Sequence, residues 1–138
     1  MSCDFAVWSA EPRLSDAEAL EIYRELCEGL NEGAAARLPA CLTLDAFYTE
    51  LTAKHPEIDS ISDDQVDDHE LCPWSCALEH TDTYIIMNCV WSRAEYVERF
   101  VSELATKHGL AVFDPQAASI HFPKAAPVPA AKPWWRLR

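Results

Sequence analysis

Apolar and polar residues follow one another along the chain in patterns that predict a mixed α and β fold. The run over residues 4–8 is short and almost wholly apolar, which is typical of a strand covered on both faces. Later apolar residues recur either at helical spacing or in continuous and alternating runs. In chain order, the pattern predicts a strand over 4–8, a helix over 15–30, a helix from Thr43 to the His55-Pro56 break, strands over 74–78 and 83–91, a helix over 92–108, a strand over 110–113 and a short edge strand over 119–122.

Short motifs mark the ends of the predicted helices. Ser15 to Glu18 and Ser92 to Glu95 both have the form of a capping box, in which a serine hydroxyl and a glutamate carboxylate accept hydrogen bonds from free backbone amides. Thr43 is a candidate N-cap for the middle helix. Gly109 stands where helices often end in the left-handed conformation.

The order of these elements predicts an α+β, ferredoxin-like split βαβ sandwich (β-α-α-β-β-α-β) with one inserted helix. The first and third strands are the most apolar, so we expect them to be central, parallel neighbours. Right-handed crossovers would then place the helices that begin at Ser15 and Ser92 on one face of the sheet. The other face would be open, or covered by the middle helix, the C-terminal tail or a partner.

Length and composition predict one domain followed by a tail. The chain has 138 residues, of which 49% are hydrophobic, and this is enough for a single core. Residues 1–123 form the predicted domain. Residues 124–138 are rich in proline and alanine, which favours extended chain, and they end in Trp-Trp-Arg-Leu-Arg.

Charge is distributed unevenly between these two parts. All 23 acidic residues but only seven of the 11 basic residues precede Lys124, so residues 1–123 carry a formal charge of −16 and residues 124–138 carry +4. An acidic body argues against binding nucleic acid or an anionic membrane, and it favours a basic protein partner.

The segment over 59–70 concentrates acidic residues and has few apolar anchors, so we expect an exposed loop. Such a loop can simply be solvated, or it can recognise a basic surface. The predicted contact residues are Asp63, Asp64, Asp67, Asp68, Glu70 and Trp74.

The tail has two open interpretations. Trp134 and Trp135 could dock on an apolar patch while Arg136 meets the acidic body or a neighbouring subunit, which makes a homodimer possible. Otherwise the tail is a frayed terminus.

Candidate chemistry is sparse, and the prediction is a protein without metal or cofactor. His69, Cys72, Cys76 and His80 are the one compact set of soft ligands, but their spacing fits known zinc modules poorly, and Cys76 is predicted to be core. No glycine-rich phosphate loop, G-x-S-x-G elbow or H-E-x-x-H motif occurs. A reactive cysteine is disfavoured in so acidic a setting, so an enzyme is the less favoured class.

The compartment is predicted from the N-terminus and the cysteines. The first residues lack the basic and apolar regions of a secretory signal, and no apolar run approaches the roughly 20 residues that span a bilayer. We therefore expect a cytoplasmic protein whose six cysteines are reduced.

Several phrases of the sequence resemble a family of small uncharacterised bacterial proteins that open with a "YDLAVW"-like strand and finish with a "GLxx(Y/F)DPQ" strand. The phrases are Cys3-Asp4-Phe5-Ala6-Val7-Trp8, Glu11-Pro12-Arg13, Ser15-Asp16-Ala17-Glu18, Ser92-Arg93-Ala94-Glu95 and Gly109-Leu110-Ala111-Val112-Phe113-Asp114-Pro115-Gln116. The resemblance covers residues 3–116 and departs from the pattern at Cys3, where the family usually has an aromatic residue. It transfers no catalytic residue, but small acidic proteins of this kind are similar to immunity proteins that neutralise polymorphic toxins.

Two hypotheses follow for the function. The leading one is a cytoplasmic immunity protein whose acidic surface binds a basic bacterial toxin. The alternative is a small enzyme or ligand-binding domain with a pocket on the open sheet face, lined by Trp8 and Trp91. A closed polar pocket that holds His80 or Asp114 would favour the alternative, and a flat acidic face would favour inhibition.

Overall fold

A computed structural model describes residues 2–29 and 37–123, which form an α+β fold with three helices and a five-stranded antiparallel open sheet. The strands are β1 (Ser2–Ser9), β2 (Glu79–His80), β3 (Tyr84–Val90), β4 (Leu110–Asp114) and β5 (Ser119–His121). The helices are α1 (Asp16–Cys27), α2 (Thr43–Lys54) and α3 (Ala94–His108). None of these helices is long and apolar enough to cross a membrane. The predicted tail over 124–138 lies outside the described residues.

Strand β1 is the centre of the sheet, whose order is β2-β3-β1-β4-β5. It pairs with β3 from Ser2 to Trp8 and with β4 from Ala6 to Ser9. The four residues from Phe5 to Trp8 are all apolar and all buried. The expected burial of this strand on both faces is confirmed.

The first and third strands are neighbours, as expected, but they run antiparallel. Ser2 lies opposite Val90 and Trp8 lies opposite Tyr84. Because β3 and β4 are both antiparallel to β1, they are parallel to each other with β1 between them. Parallel partners in a split βαβ unit are separated by one strand, which is why the prediction of directly adjacent parallel strands was wrong.

Helices cover both faces of the sheet, and the expected placement of α1 and α3 on one face is wrong. The side chains of Cys3, Phe5 and Val7 point towards α2 and α3, whereas Ala6 and Trp8 point towards α1. Side chains alternate between the two faces of a strand, so an apolar strand requires a covering layer on each side. Helix α2 joins α3 on one face, and α1 covers the other.

Two of the four predicted helix-end motifs are present. Thr43 is the first residue of α2 and not its N-cap, which is Leu42 without a side-chain hydrogen bond. Ser15 and Glu18 form the expected capping box, with Glu18 N donating to Ser15 Oγ at 3.1 Å and Ser15 N donating to Glu18 Oε1 at 2.9 Å. Gly109 ends α3 with φ of 70°. The box expected at Ser92 does not form, because residues Trp91–Arg93 make a 3₁₀ turn and Arg93 becomes the N-cap without a side-chain hydrogen bond.

The predicted edge strand over 74–78 is interrupted. Trp74 makes an isolated bridge to Cys89, and the ladder resumes only at Glu79, opposite Ile86. Four residues lie between Trp74 and Glu79 on this edge, whereas only two lie between Ile86 and Cys89 on β3. The extra length bulges outward and exposes Cys76, which corrects its expected place in the core.

Gly109 and Ala118 both have positive φ, and exchanging glycine and alanine at these positions tests their backbone conformations. Gly109 (φ 70°) has open space around its missing Cβ, and Ala118 (φ 51°) carries a side chain in the same left-handed region. We expect Gly109→Ala to lower the free energy of unfolding by about 1 kcal/mol through backbone strain, and Ala118→Gly to raise it or leave it unchanged. Urea denaturation of both variants measures this. A loss of stability in Ala118→Gly that matches the loss in Gly109→Ala would contradict the assigned conformations.

Candidate functional site

The acidic loop over 59–70 is exposed and partly ordered by its own hydrogen bonds. Ser62 and Gln65 form a capping box around the 3₁₀ turn Asp63–Gln65. Asp68 Oδ1 accepts hydrogen bonds from the backbone of Glu70 and Leu71, at 3.2 and 3.3 Å. Asp68 therefore has a structural role in the loop. The remaining predicted carboxylates of the loop, which form no ion pair within the described ranges, are Asp63, Asp64, Asp67 and Glu70.

Trp74 belongs to the core. Its side chain is only 1% exposed, and its indole N–H donates to the backbone oxygen of His55 at 2.9 Å. A partner cannot reach it in the folded domain, which corrects its expected place among the contact residues. Trp74 begins the predicted strand over 74–78, in which Trp74, Cys76 and Leu78 alternate with Ser75, Ala77 and Glu79, and this alternation is a signal for burial.

His55 joins the end of α2 to α3 and to the segment before Trp74. It is 2% exposed, with Nδ1 lying 2.9 Å from the oxygen of Leu71 and Nε2 lying 2.8 Å from the hydroxyl of Tyr96. Because a carbonyl can only accept, Nδ1 carries the proton and Nε2 accepts from Tyr96. Burial lowers the pKa of His55 below its usual value, so the ring is neutral.

A groove opens where the start of β1, the 3₁₀ turn Trp91–Arg93, the first turns of α3 and the end of β4 meet. Its volume is about 360 Å³. We call it the Trp91 groove, and its lining residues are Cys3, Phe5, Trp91, Ala94, Glu95, Glu98, Asp114 and Gln116. Trp91 is 56% exposed, so its indole is accessible to a partner. The groove thus combines an exposed indole with three carboxylates.

The floor of this groove is fixed by the turn after β4. Asp114 Oδ1 accepts from the backbone of Gln116 at 3.0 Å and from its side-chain amide at 2.6 Å. The same Gln116 amide donates to the oxygen of Asp4 at 2.9 Å and accepts from its N–H at 2.8 Å. Asp114 and Gln116 therefore hold the turn to β1, which gives the Asp-Pro-Gln phrase a structural role.

The pocket expected from Trp8 and Trp91 together does not exist in the described part of the chain. Trp8 is fully buried under α1 and stacks on Phe113, with ring centroids 5.9 Å apart. Trp91 lies on the opposite face. In the described ranges, helices cover both faces of the sheet. Asp114 does line the Trp91 groove, whereas His80 does not.

His80 lies at the edge of the sheet, beside α2. Its ring stacks on Tyr48 with centroids 4.1 Å apart, and its Nε2 is 3.0 Å from Asp45 Oδ1. Tyr48 donates a hydrogen bond to Glu57, which raises the pKa of the phenol to about 12. Within residues 2–29 and 37–123, no three histidine, cysteine or acidic side chains come together as a possible metal site, so the four soft ligands are not assembled.

Comparison with protein-family models, with curated proteins and with solved structures finds no match to this chain. The site is therefore interpreted from its own chemistry. The sequence indicates Trp91 as a candidate lining residue of a pocket, and it gives no signal for Glu98 as a site residue. Their meeting with Asp114 depends on β1 lying between β3 and β4, which no local pattern predicts.

The buried His55 leads to a pH-dependence test. The pKa of His55 is lower in the folded chain than in the unfolded chain, so the unfolded chain binds a proton more readily. The free energy of unfolding therefore decreases as the pH falls from about 6.5, the pKa of an unfolded histidine, towards the folded pKa. We expect the free energy of unfolding of the parent to fall more steeply between pH 7 and pH 5 than that of His55→Gln, on the order of 1 kcal/mol more.

Tyr96→Phe is the matched control for this test. It removes the hydroxyl that Nε2 accepts from and keeps the titrating ring, so we expect a loss of about 1 kcal/mol that leaves the steep pH dependence in place. Parallel curves for the parent and His55→Gln would show that His55 does not control acid stability. Chemical denaturation at several pH values measures all three proteins.

Proposed function

We propose that this domain binds a basic protein and acts as an immunity protein that neutralises a cognate bacterial toxin. The observation that carries the proposal is the Trp91 groove, where a 56% exposed indole stands beside Glu95, Glu98 and Asp114. An arginine or lysine of a partner fits both features, because its cation is attracted to the carboxylates and to the face of the indole. The proposal includes the expected resemblance of residues 3–116 to small acidic bacterial proteins.

The acidic loop supports the proposal in a different way. Its exposed carboxylates lie on a body of formal charge −16, so they add to a long-range field that attracts a basic partner. Solvated loop carboxylates contribute mainly to the rate of association, whereas a large aromatic group in a partly enclosed groove contributes to the lifetime of the complex. The proposed contact residues therefore divide into two classes with different kinetic effects.

We also propose that the protein is cytoplasmic and that its partner is neither nucleic acid nor a membrane. The proposal also keeps the possible homodimer, with Trp134, Trp135 and Arg136 of the tail as docking residues, although they lie outside the described part of the chain. The alternative function is binding of a small cationic ligand in the same groove, which the presence of Asp114 there favours.

We also infer a finer description of the fold. Strand β2 is antiparallel to β3 and therefore parallel to β1, with β3 between them, and β3 and β4 are parallel with β1 between them. Two interleaved β-α-β units of this kind are the basis of the ferredoxin-like arrangement. In this interpretation α2 and α3 are its two helices, and α1 is the insertion, on the opposite face.

The groove is tested by the lifetime of a complex. With the proposed basic toxin as the probe, we expect Trp91→Ala to speed dissociation about 30-fold or more, as removal of a central aromatic group costs roughly 2 kcal/mol. The double variant Glu95→Gln with Glu98→Gln should also speed dissociation. Its matched control neutralises Glu25 of α1 and Glu28 at the C-cap of that helix, on the other face. Equal effects of the two doubles in stopped-flow measurements would show that the groove is not the contact site.

The loop is tested by the rate of association. Replacement of Asp63, Asp64, Asp67 and Asp68 by Asn should slow association at low salt and leave dissociation nearly unchanged, since these charges act at long range. The difference from the parent should vanish at high salt. Because Asp68 also caps the loop, the triple variant that retains it is the control for loop order. Association at the parental rate would mean that the loop is only solvated.

A further inference from the structure

A second pocket lies on the surface between the end of α2 and the outer side of α3, and it is basic. Its volume is about 240 Å³. We call it the Arg99 pocket, and its lining residues are Lys54, Tyr96, Arg99, Phe100 and Glu103. Arg93 adjoins it, because its guanidinium lies 4.3 Å from the centre of the Tyr96 ring.

Unpaired positive charge is concentrated at this pocket. Lys54, Arg93 and Arg99 are three of only seven basic residues in a body that carries 23 acidic ones. The ion pairs among the described residues use Arg37, Lys107 and histidines, and none uses these three. Arg13 and Arg24 also form no ion pair among the described residues, so the distinctive feature of this pocket is that three such cations lie close together.

The aromatic rings hold two of these cations in place. Tyr96 and Phe100 stack with centroids 5.9 Å apart and planes 6° apart. Arg93 lies over Tyr96, and Lys54 Nζ lies 5.4 Å from the centre of Phe100. These contacts restrict the two side chains through cation–π attraction and leave their N–H groups free of carboxylates. The Nε atom of Arg93 is buried and has no hydrogen-bond partner among the described residues.

The rings are themselves fixed from beneath by His55. It accepts the hydrogen bond of Tyr96 and meets the edge of Phe100, with ring centroids 5.3 Å apart. The charges of Lys54 and Arg93 add to burial in lowering the pKa of His55, so the positive field of the pocket reaches the core. The two rings of the pocket are therefore held in place by a buried imidazole.

We propose that the Arg99 pocket binds an oxyanion, the carboxylate or phosphate group of a small molecule. Arg99 presents a planar fork of donors that matches two oxygens of such a group, and Lys54 adds a point charge. Glu103 lines the same pocket and reduces its attraction for an anion. The Arg99 pocket shares no lining residue with the Trp91 groove, so anion binding here can be tested independently of the proposed protein partner.

The experiment is a nuclear magnetic resonance titration of the whole chain at constant ionic strength, with inorganic phosphate in one arm and acetate in the other. We expect saturable shifts of the Tyr96, Arg99 and Phe100 amides in at least one arm. Arg99→Gln and Lys54→Gln should each weaken that binding about tenfold, the loss of one charge-assisted hydrogen bond. Glu103→Gln should tighten it. The matched control is Arg24→Gln on α1, which makes the same change of charge on the opposite face.

Each outcome decides the proposal. Saturable binding that is weakened at Arg99 and Lys54, tightened at Glu103 and unchanged at Arg24 supports it, and the stronger arm identifies phosphate or carboxylate as the preferred group. Shifts that do not saturate in either arm overturn it. Equal weakening by Arg24→Gln also overturns it, because the effect would then be one of net charge. Thermal melting of every variant establishes that a lost signal is not lost folding.

Discussion

Burial of β1 on both of its faces is the constraint from which the rest of this structure follows. A strand with Phe5, Ala6, Val7 and Trp8 in sequence cannot leave either face in water, since each of these side chains contributes about 1 kcal/mol or more when it is removed from solvent. The sheet therefore needs a layer on each side. Helix α1 supplies one layer, and α2 with α3 supply the other.

Helix α3 turns that buried layer into two different surfaces. Its apolar stripe of Val97, Val101 and Leu104 faces the sheet. On one flank, its first turns bring carboxylates to the Trp91 groove, and on the other flank they bring Arg99 to the basic pocket. The two linings occupy adjacent stripes of one helix, because the 3.6-residue period sets residues 95 and 98 beside residues 96, 99 and 103.

The sequence predicted elements well and their arrangement less well. The strand over 4–8, the Ser15 capping box and the Gly109 stop depend on neighbouring residues, and the structure confirms each of them. The directions of adjacent strands, the face that α1 covers and the burial of Trp74 depend on contacts between distant segments. For the same reason Trp91 could be marked as a candidate from its type, but the groove around it could not.

The hydrogen bonds of Gln116 protect a part of β1 that its neighbours leave uncovered. Strand β4 pairs with β1 only from Ala6 onward, so the outward-facing N–H and C=O of Asp4 lack a strand partner on that side. The Gln116 amide occupies both groups. Exposed backbone of this kind is a template on which a strand from another molecule can add, and repeated addition leads to aggregation. The Gln116 side chain thus covers backbone groups of the central strand that β4 leaves unpaired among the described residues, and a foreign strand has to displace it before it can pair with Asp4.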